Sequence, residues 1–99
     1  MATAPTVIPL DAIAPGTHPG EVIRRYLSMR KLTQHVAASL LPMSRTNFTE
    51  MLAGHRGVTA DSAITLGALF QTGADYWMTI QSRYDMHRAR QRKSRREAE

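Results

Sequence analysis

Cysteine is absent from all 99 residues, so neither a disulfide framework nor a thiolate metal site is available. No apolar run approaches the roughly 20 residues that span a bilayer, and no charged start leads into an apolar stretch. A cytoplasmic protein without a membrane segment is expected. Four histidines, His18, His35, His55 and His87, never fall at ligand spacing from one another or from acidic residues, which argues against a metal. A glycine-rich phosphate loop is missing, and no nucleophile elbow marks a serine for catalysis. A single small domain with a modest core leaves little room for a catalytic pocket. The expectation is no cofactor and no enzymatic activity.

Acidic residues are also few, eight against 13 lysines and arginines, for a formal charge of +5. The excess is uneven: from Arg83 onward seven basic residues meet three acidic ones, which leaves the first 82 residues at only +1. A basic balance favours an anionic partner such as nucleic acid.

The most informative stretch runs from Thr33 to Gly54. Thr33 is a good N-cap, and Val36, Ala37, Leu40 and Leu41 then give a short helix one apolar face. Pro42 stops that helix and pushes Leu41 out of helical geometry. Ser44 caps a second helix with Phe48, Met51 and Leu52 on its buried side, and Arg45, Thr46, Asn47, Thr49 and Glu50 outside. Gly54 stands where a left-handed residue ends a helix. Ala38 is small enough to let the two helices cross closely. This is the pattern of a helix-turn-helix. Arginine can fork onto guanine, asparagine can pair with adenine, and threonine can touch a base edge or the thymine methyl group. They lie at the N-terminal end of the second helix, the end that such a motif directs at bases.

Three more helices frame the pair. His18 caps the first, with Pro19 at its opening position, Glu21 in its first turn, and Val22, Ile23, Tyr26 and Leu27 as its stripe. Arg24 and Arg25 are read as outward-facing. Thr59 caps the fourth, whose stripe is Ala63, Leu66, Gly67 and Phe70. The fifth runs from about Ala74 to the late eighties with Trp77, Ile80, Gln81 and Tyr84 on one face. Residues 1–17, with three prolines, are expected to be a flexible arm, residues 18–88 the helical domain, and residues 89–99 a basic tail. The aromatic and apolar load of the fifth helix exceeds what one core face needs, so Tyr76, Trp77, Ile80 and Tyr84 are expected to join two subunits.

Residues Thr33 to Gly54 resemble the helix-turn-helix of phage repressors, with Gln34 at that class's phosphate-contacting position. Four flanking segments, His18-Pro19-Gly20-Glu21, Arg56 to Ala63, Tyr76 to Gln81 and Tyr84-Asp85, are similar in order and spacing to the HPGE, RGITADTA, FWLNLQ and YDL signatures of HigA-type antitoxins. Pro42 and Gln71 stand where that family usually has glycine, Gly73-Ala74 replaces its Ser-Pro helix start, and Thr49 replaces a frequent asparagine. The resemblance implies an all-α five-helix bundle that binds double-stranded operator DNA as a homodimer, represses its own operon and neutralises a cognate mRNA-endonuclease toxin. Base contacts then fall to Arg45, Thr46, Asn47 and Thr49, and phosphate contacts to Thr33, Gln34 and Ser44, with Arg56 also near the backbone. Two alternatives stay open: a stand-alone repressor without a toxin, and a toxin-inhibiting module without operator binding.

Overall fold

The computed structural model describes residues 6–98, which form five α-helices and, among the described residues, no strand. In chain order these are α1 (Pro19–Met29), α2 (Gln34–Leu40), α3 (Arg45–Leu52), α4 (Ala60–Phe70) and α5 (Ala74–Ala98). The first four helices begin at the caps expected from sequence. His18 Nδ1 accepts from the Gly20 N–H at 2.9 Å, Thr33 from Val36 at 3.1 Å and Ser44 from Asn47 at 3.0 Å. Thr59 and Ser62 form a reciprocal capping box at the start of α4.

The helix ends follow equally local chemistry. Leu41, before Pro42, is extended at φ −100° and ψ 135°, as the proline ring requires. Gly54 takes φ +83°, and the N–H groups of Gly54 and His55 donate back to the carbonyls of Met51 and Glu50, which closes α3 with a Schellman turn. Lys31 and Gln71 occupy the same left-handed position after α1 and α4, at φ 54° and 58°, without the freedom of glycine.

The core holds Val22, Ile23, Tyr26 and Leu27 from α1, Phe48, Met51 and Leu52 from α3, Ala63, Leu66 and Phe70 from α4, and Tyr76, Trp77 and Ile80 from α5. At its centre Tyr26 stacks on Phe70 at 5.1 Å and meets Trp77 edge-on at 5.6 Å. The Tyr26 hydroxyl donates to the Tyr76 hydroxyl at 3.0 Å. Burial, followed by this hydrogen bond, raises the Tyr76 phenol far above its ordinary range and keeps it neutral.

The arm is not loose over its described part. Ile8 donates its N–H to Tyr26 Oη at 2.9 Å and accepts from Tyr76 Oη at 2.8 Å, so its backbone closes a ring of three hydrogen bonds with the tyrosines. Arg83 reaches the Leu10 carbonyl, and Ile13 is buried. A flexible arm is therefore replaced, from residue 6 onward, by a segment laid on the bundle and turned by a 3-10 helix at Leu10–Ala12. Residues 1–5 lie outside the described residues. At the other end, the sequence from Ala89 continues α5 as an exposed helix to Ala98.

Two substitutions test these local terms. Gln71 is exposed, so Gln71→Gly removes the left-handed strain without removing a packed side chain. It should add about 1 kcal/mol, less some for glycine's freedom in the unfolded chain, which corresponds to a rise in melting temperature of a few degrees. A melting temperature at or below that of the parent would show that this position is unstrained. The second concerns acid. Burial lowers the proton affinity of His18, with Asp85 pulling more weakly the other way, and Nδ1 must stay unprotonated to cap α1. The unfolded chain then binds this proton at higher pH than the folded one, so stability is full above the ordinary imidazole range and falls as pH drops through it. His18→Asn supplies a cap oxygen that does not titrate, and its melting temperature should decline less between about pH 7 and pH 5. An equally steep decline in both proteins would assign the acid sensitivity elsewhere.

Candidate nucleic-acid interface

The geometry of α3 follows from what it buries. Phe48, Met51 and Leu52 point into the core, which fixes the rotation of the helix and leaves Arg45, Thr46 and Thr49 exposed and Asn47 half-buried at its N-terminal end. Gly20 on α1 lets α3 sit this deep, because a Cβ there would overlap the Met51 carbonyl oxygen. Arg24, read from sequence as outward-facing, donates its Nε–H to the Leu52 carbonyl at 3.0 Å and so closes the C-terminal end of α3. No sequence signal pairs these two residues, which lie 28 positions apart.

Helix α2 crosses α3 through Ala37, which is fully buried, and the half-buried Ala38. Here the expected stripe is corrected. Val36 and Leu40 are 42% and 58% exposed, and only Ala37 and Leu41 face the core. Two turns give too few positions for periodicity to choose between neighbouring faces.

The first turns of α2 and α3 are joined by two side-chain contacts. Gln34 Nε2 donates to Thr49 Oγ1 at 3.3 Å, and Arg45 Nη2 donates to His35 Nδ1 at 2.9 Å. With Ala38 these residues line a cleft of about 220 Å³ that contains no carboxylate. The Thr33 and Ser44 hydroxyl oxygens accept backbone N–H groups, which leaves each O–H free to donate outward. Gln34, Arg45 and Thr49 are therefore in one cluster, with Ser44, Thr46 and Asn47 beside it on the first turn of α3. His35 belongs to the same cluster, and its place next to Gln34 at the start of α2 is the only sequence signal for it.

Arg56 stands apart. Its guanidinium donates twice to Glu50 Oε2, at 3.1 and 2.8 Å, in an exposed ion pair. This pair neutralises the one carboxylate on the outer side of α3 and at the same time occupies the arginine. Arg56 and Asn47 both line a second cleft, of about 290 Å³, between α3 and the start of α4. Among the described residues no three acidic or histidine side chains gather at a metal-binding distance, and no helix is long and apolar enough to cross a membrane.

The residues expected to join two subunits need correction. Trp77 and Ile80 are 0% and 2% exposed within the single chain, and Tyr76 is held by Tyr26 and Ile8, so these three complete the protomer's own core. Of the four, Tyr84, half-buried with its ring against His18 at 4.8 Å, keeps the most accessible surface. Apolar bulk on a helix gives the same sequence signal whether its cover is intramolecular or a partner.

Two short helices crossing through small residues, with a polar N-terminal turn displayed on the second, define the chain as a helix-turn-helix protein. No family model matches it. It is 38% identical over 80 residues to Virulence-associated protein I of Dichelobacter nodosus, covering 80% of this chain and 74% of that protein. Its fold matches the Pseudomonas aeruginosa antitoxin HigA solved with the higBA promoter, at 32% identity and a TM-score of 0.76, over 82% of this chain and 89% of that one. An addiction module antidote protein of the HigA family from Coxiella burnetii matches at 28% identity and a TM-score of 0.74, over the same shares. The chain belongs to the HigA-type antitoxin family of helix-turn-helix proteins.

Proposed function

We propose that this protein binds double-stranded operator DNA as a homodimer, through the first turns of α2 and α3, represses its own operon, and neutralises a cognate toxin by direct binding. The observation that carries the DNA reading is Arg45: an exposed guanidinium at the N-terminal end of α3, hydrogen-bonded to the His35 ring rather than to a carboxylate, beside Thr46, Asn47 and Thr49. The promoter-bound HigA relative supports it. In this reading Thr33, Gln34 and Ser44 hold phosphates, and Arg56 joins them by releasing Glu50. The toxin role rests on family membership alone, and in this role the protein performs no catalysis.

In a mobility shift on the chain's own upstream DNA, Arg45→Ala should lose about 1 to 3 kcal/mol and relax one operator position, whereas Gln34→Ala should weaken all sequences about equally. Unchanged affinity in both variants would sink the assignment. Protection of two half-sites about one helical turn apart, on the order of 34 Å, is the expected footprint.

With the α5 aromatics in the core, the dimer needs another apolar surface. Ile64 is 63% exposed on α4 and, with Leu40, Pro42, Ala68 and Leu69, lines an open groove of about 450 Å³ that has no charged residue. Two copies each carrying +5 can meet there without juxtaposing like charges. Ile64→Glu should convert a dimer to a monomer in sedimentation while leaving helix content unchanged; a dimer that persists would place the interface elsewhere.

A further inference from the structure

The contact between His35 and Arg45 fixes more than a distance. A guanidinium can only donate, so at 2.9 Å the Nδ1 of His35 must be the acceptor, and the ring is neutral with its proton on Nε2. The pair ties the second residue of α2 to the first residue of α3. Arg25 and Arg56 are held by the carboxylates of Glu21 and Glu50, which reduce their attraction for an anion. Arg45 is hydrogen-bonded to an imidazole rather than to a carboxylate, so its positive charge is not offset while one guanidinium nitrogen is anchored. That combination suits a side chain whose planar fork must meet the two acceptors of a guanine edge.

We propose that His35 is a positioning residue for base recognition: its neutral imidazole orients the Arg45 guanidinium, and protonation of the ring releases it. This rests on the reading of Arg45 as a base contact. Protonated imidazole has no acceptor at Nδ1 and repels the guanidinium beside it. Gln34, Ala38 and Thr49, the other residues of the cleft, carry no charge, so within it Arg45 is the charged group beside the ring. The added cation also lies at the start of α2, next to the phosphate-facing Gln34. Acidification therefore has opposite effects on two quantities. Discrimination at the base read by Arg45 falls, while sequence-independent attraction to DNA holds or rises. Sequence reading in this protein is thereby coupled to pH through one exposed histidine.

The test measures binding to the upstream duplex and to a set of single-base substitutions of it, at about pH 8 and pH 5.5, the span over which imidazoles change charge. Four proteins are compared: the parent, Arg45→Ala, His35→Ala and His35→Asn, the last presenting an oxygen that accepts like Nδ1 but does not titrate. The position at which Arg45→Ala removes discrimination identifies its base pair. At that position the parent should discriminate about tenfold better at pH 8 than at pH 5.5. His35→Ala should discriminate poorly at both values and His35→Asn well at both. Full discrimination by His35→Ala at pH 8, or an acid loss that persists in His35→Asn, overturns the proposal and leaves the DNA reading intact. Specific binding unaffected by Arg45→Ala removes both.

Discussion

What α3 presents at its N-terminal turn depends on how α1 grips its far end. The Gly20 backbone lies against the Met51 carbonyl, and Arg24 completes the contact at Leu52, so α3 is fastened at its C-terminal end and offers its N-terminal turn to the outside. α1 is fixed in turn by Tyr26, which packs on Phe70 of α4 and Trp77 of α5 and bonds to Tyr76. A change at Tyr26 would thus reach the candidate interface by tilting α1 rather than by any direct contact. The arm belongs to the same chain of constraints, because the two buried tyrosine hydroxyls need partners and the Ile8 backbone supplies both a donor and an acceptor.

The arginines show why formal charge describes this surface poorly. Arg24 and Arg30 donate to the terminal carbonyls of α3 and α4, and Arg83 donates to Leu10 in the arm, so three guanidinium groups serve as fasteners. At the two helix ends they also complement the negative pole of the helix. Arg25 and Arg56 are paired with carboxylates. A net charge of only +1 over the first 82 residues is therefore compatible with the proposed DNA contact, since Arg45 sits on that turn bonded to no carboxylate.

What could be read from sequence divides along the range of the interaction. Thr33, Pro42, Ser44, Gly54 and Thr59 act on neighbours within a few residues, and each does in the structure what its chemistry requires. The stripes of α1 and α4 were equally legible, because three turns are enough for periodicity to define a face. Legibility failed where the partner is remote or the signal is shared. Nothing near Ile8 announces Tyr26 or Tyr76, and nothing near Arg24 announces Leu52. Trp77 and Ile80 look the same in sequence whether they close a core or join two chains. α5 could have been read further, since after Gly73 no glycine or proline occurs and residues 89–98 are mostly good helix formers.

The departures from the family pattern fall into two groups with different physical meaning. Gln71 at φ 58° and the extended Leu41 before Pro42 keep the backbone path that glycine would otherwise ease, at some local strain, and the fold still matches its relatives with TM-scores of about 0.75. These scaffold changes are absorbed because Gln71 is exposed and Leu41 stays buried in the core although its backbone is extended. Thr49 is different, since it lies on the exposed face and accepts a hydrogen bond from Gln34, while Arg45 donates one to His35. A frame fixed by buried residues and an exposed face proposed to meet DNA can vary independently. Chains sharing 28 to 32% of their residues can then keep one architecture while their exposed first turns differ.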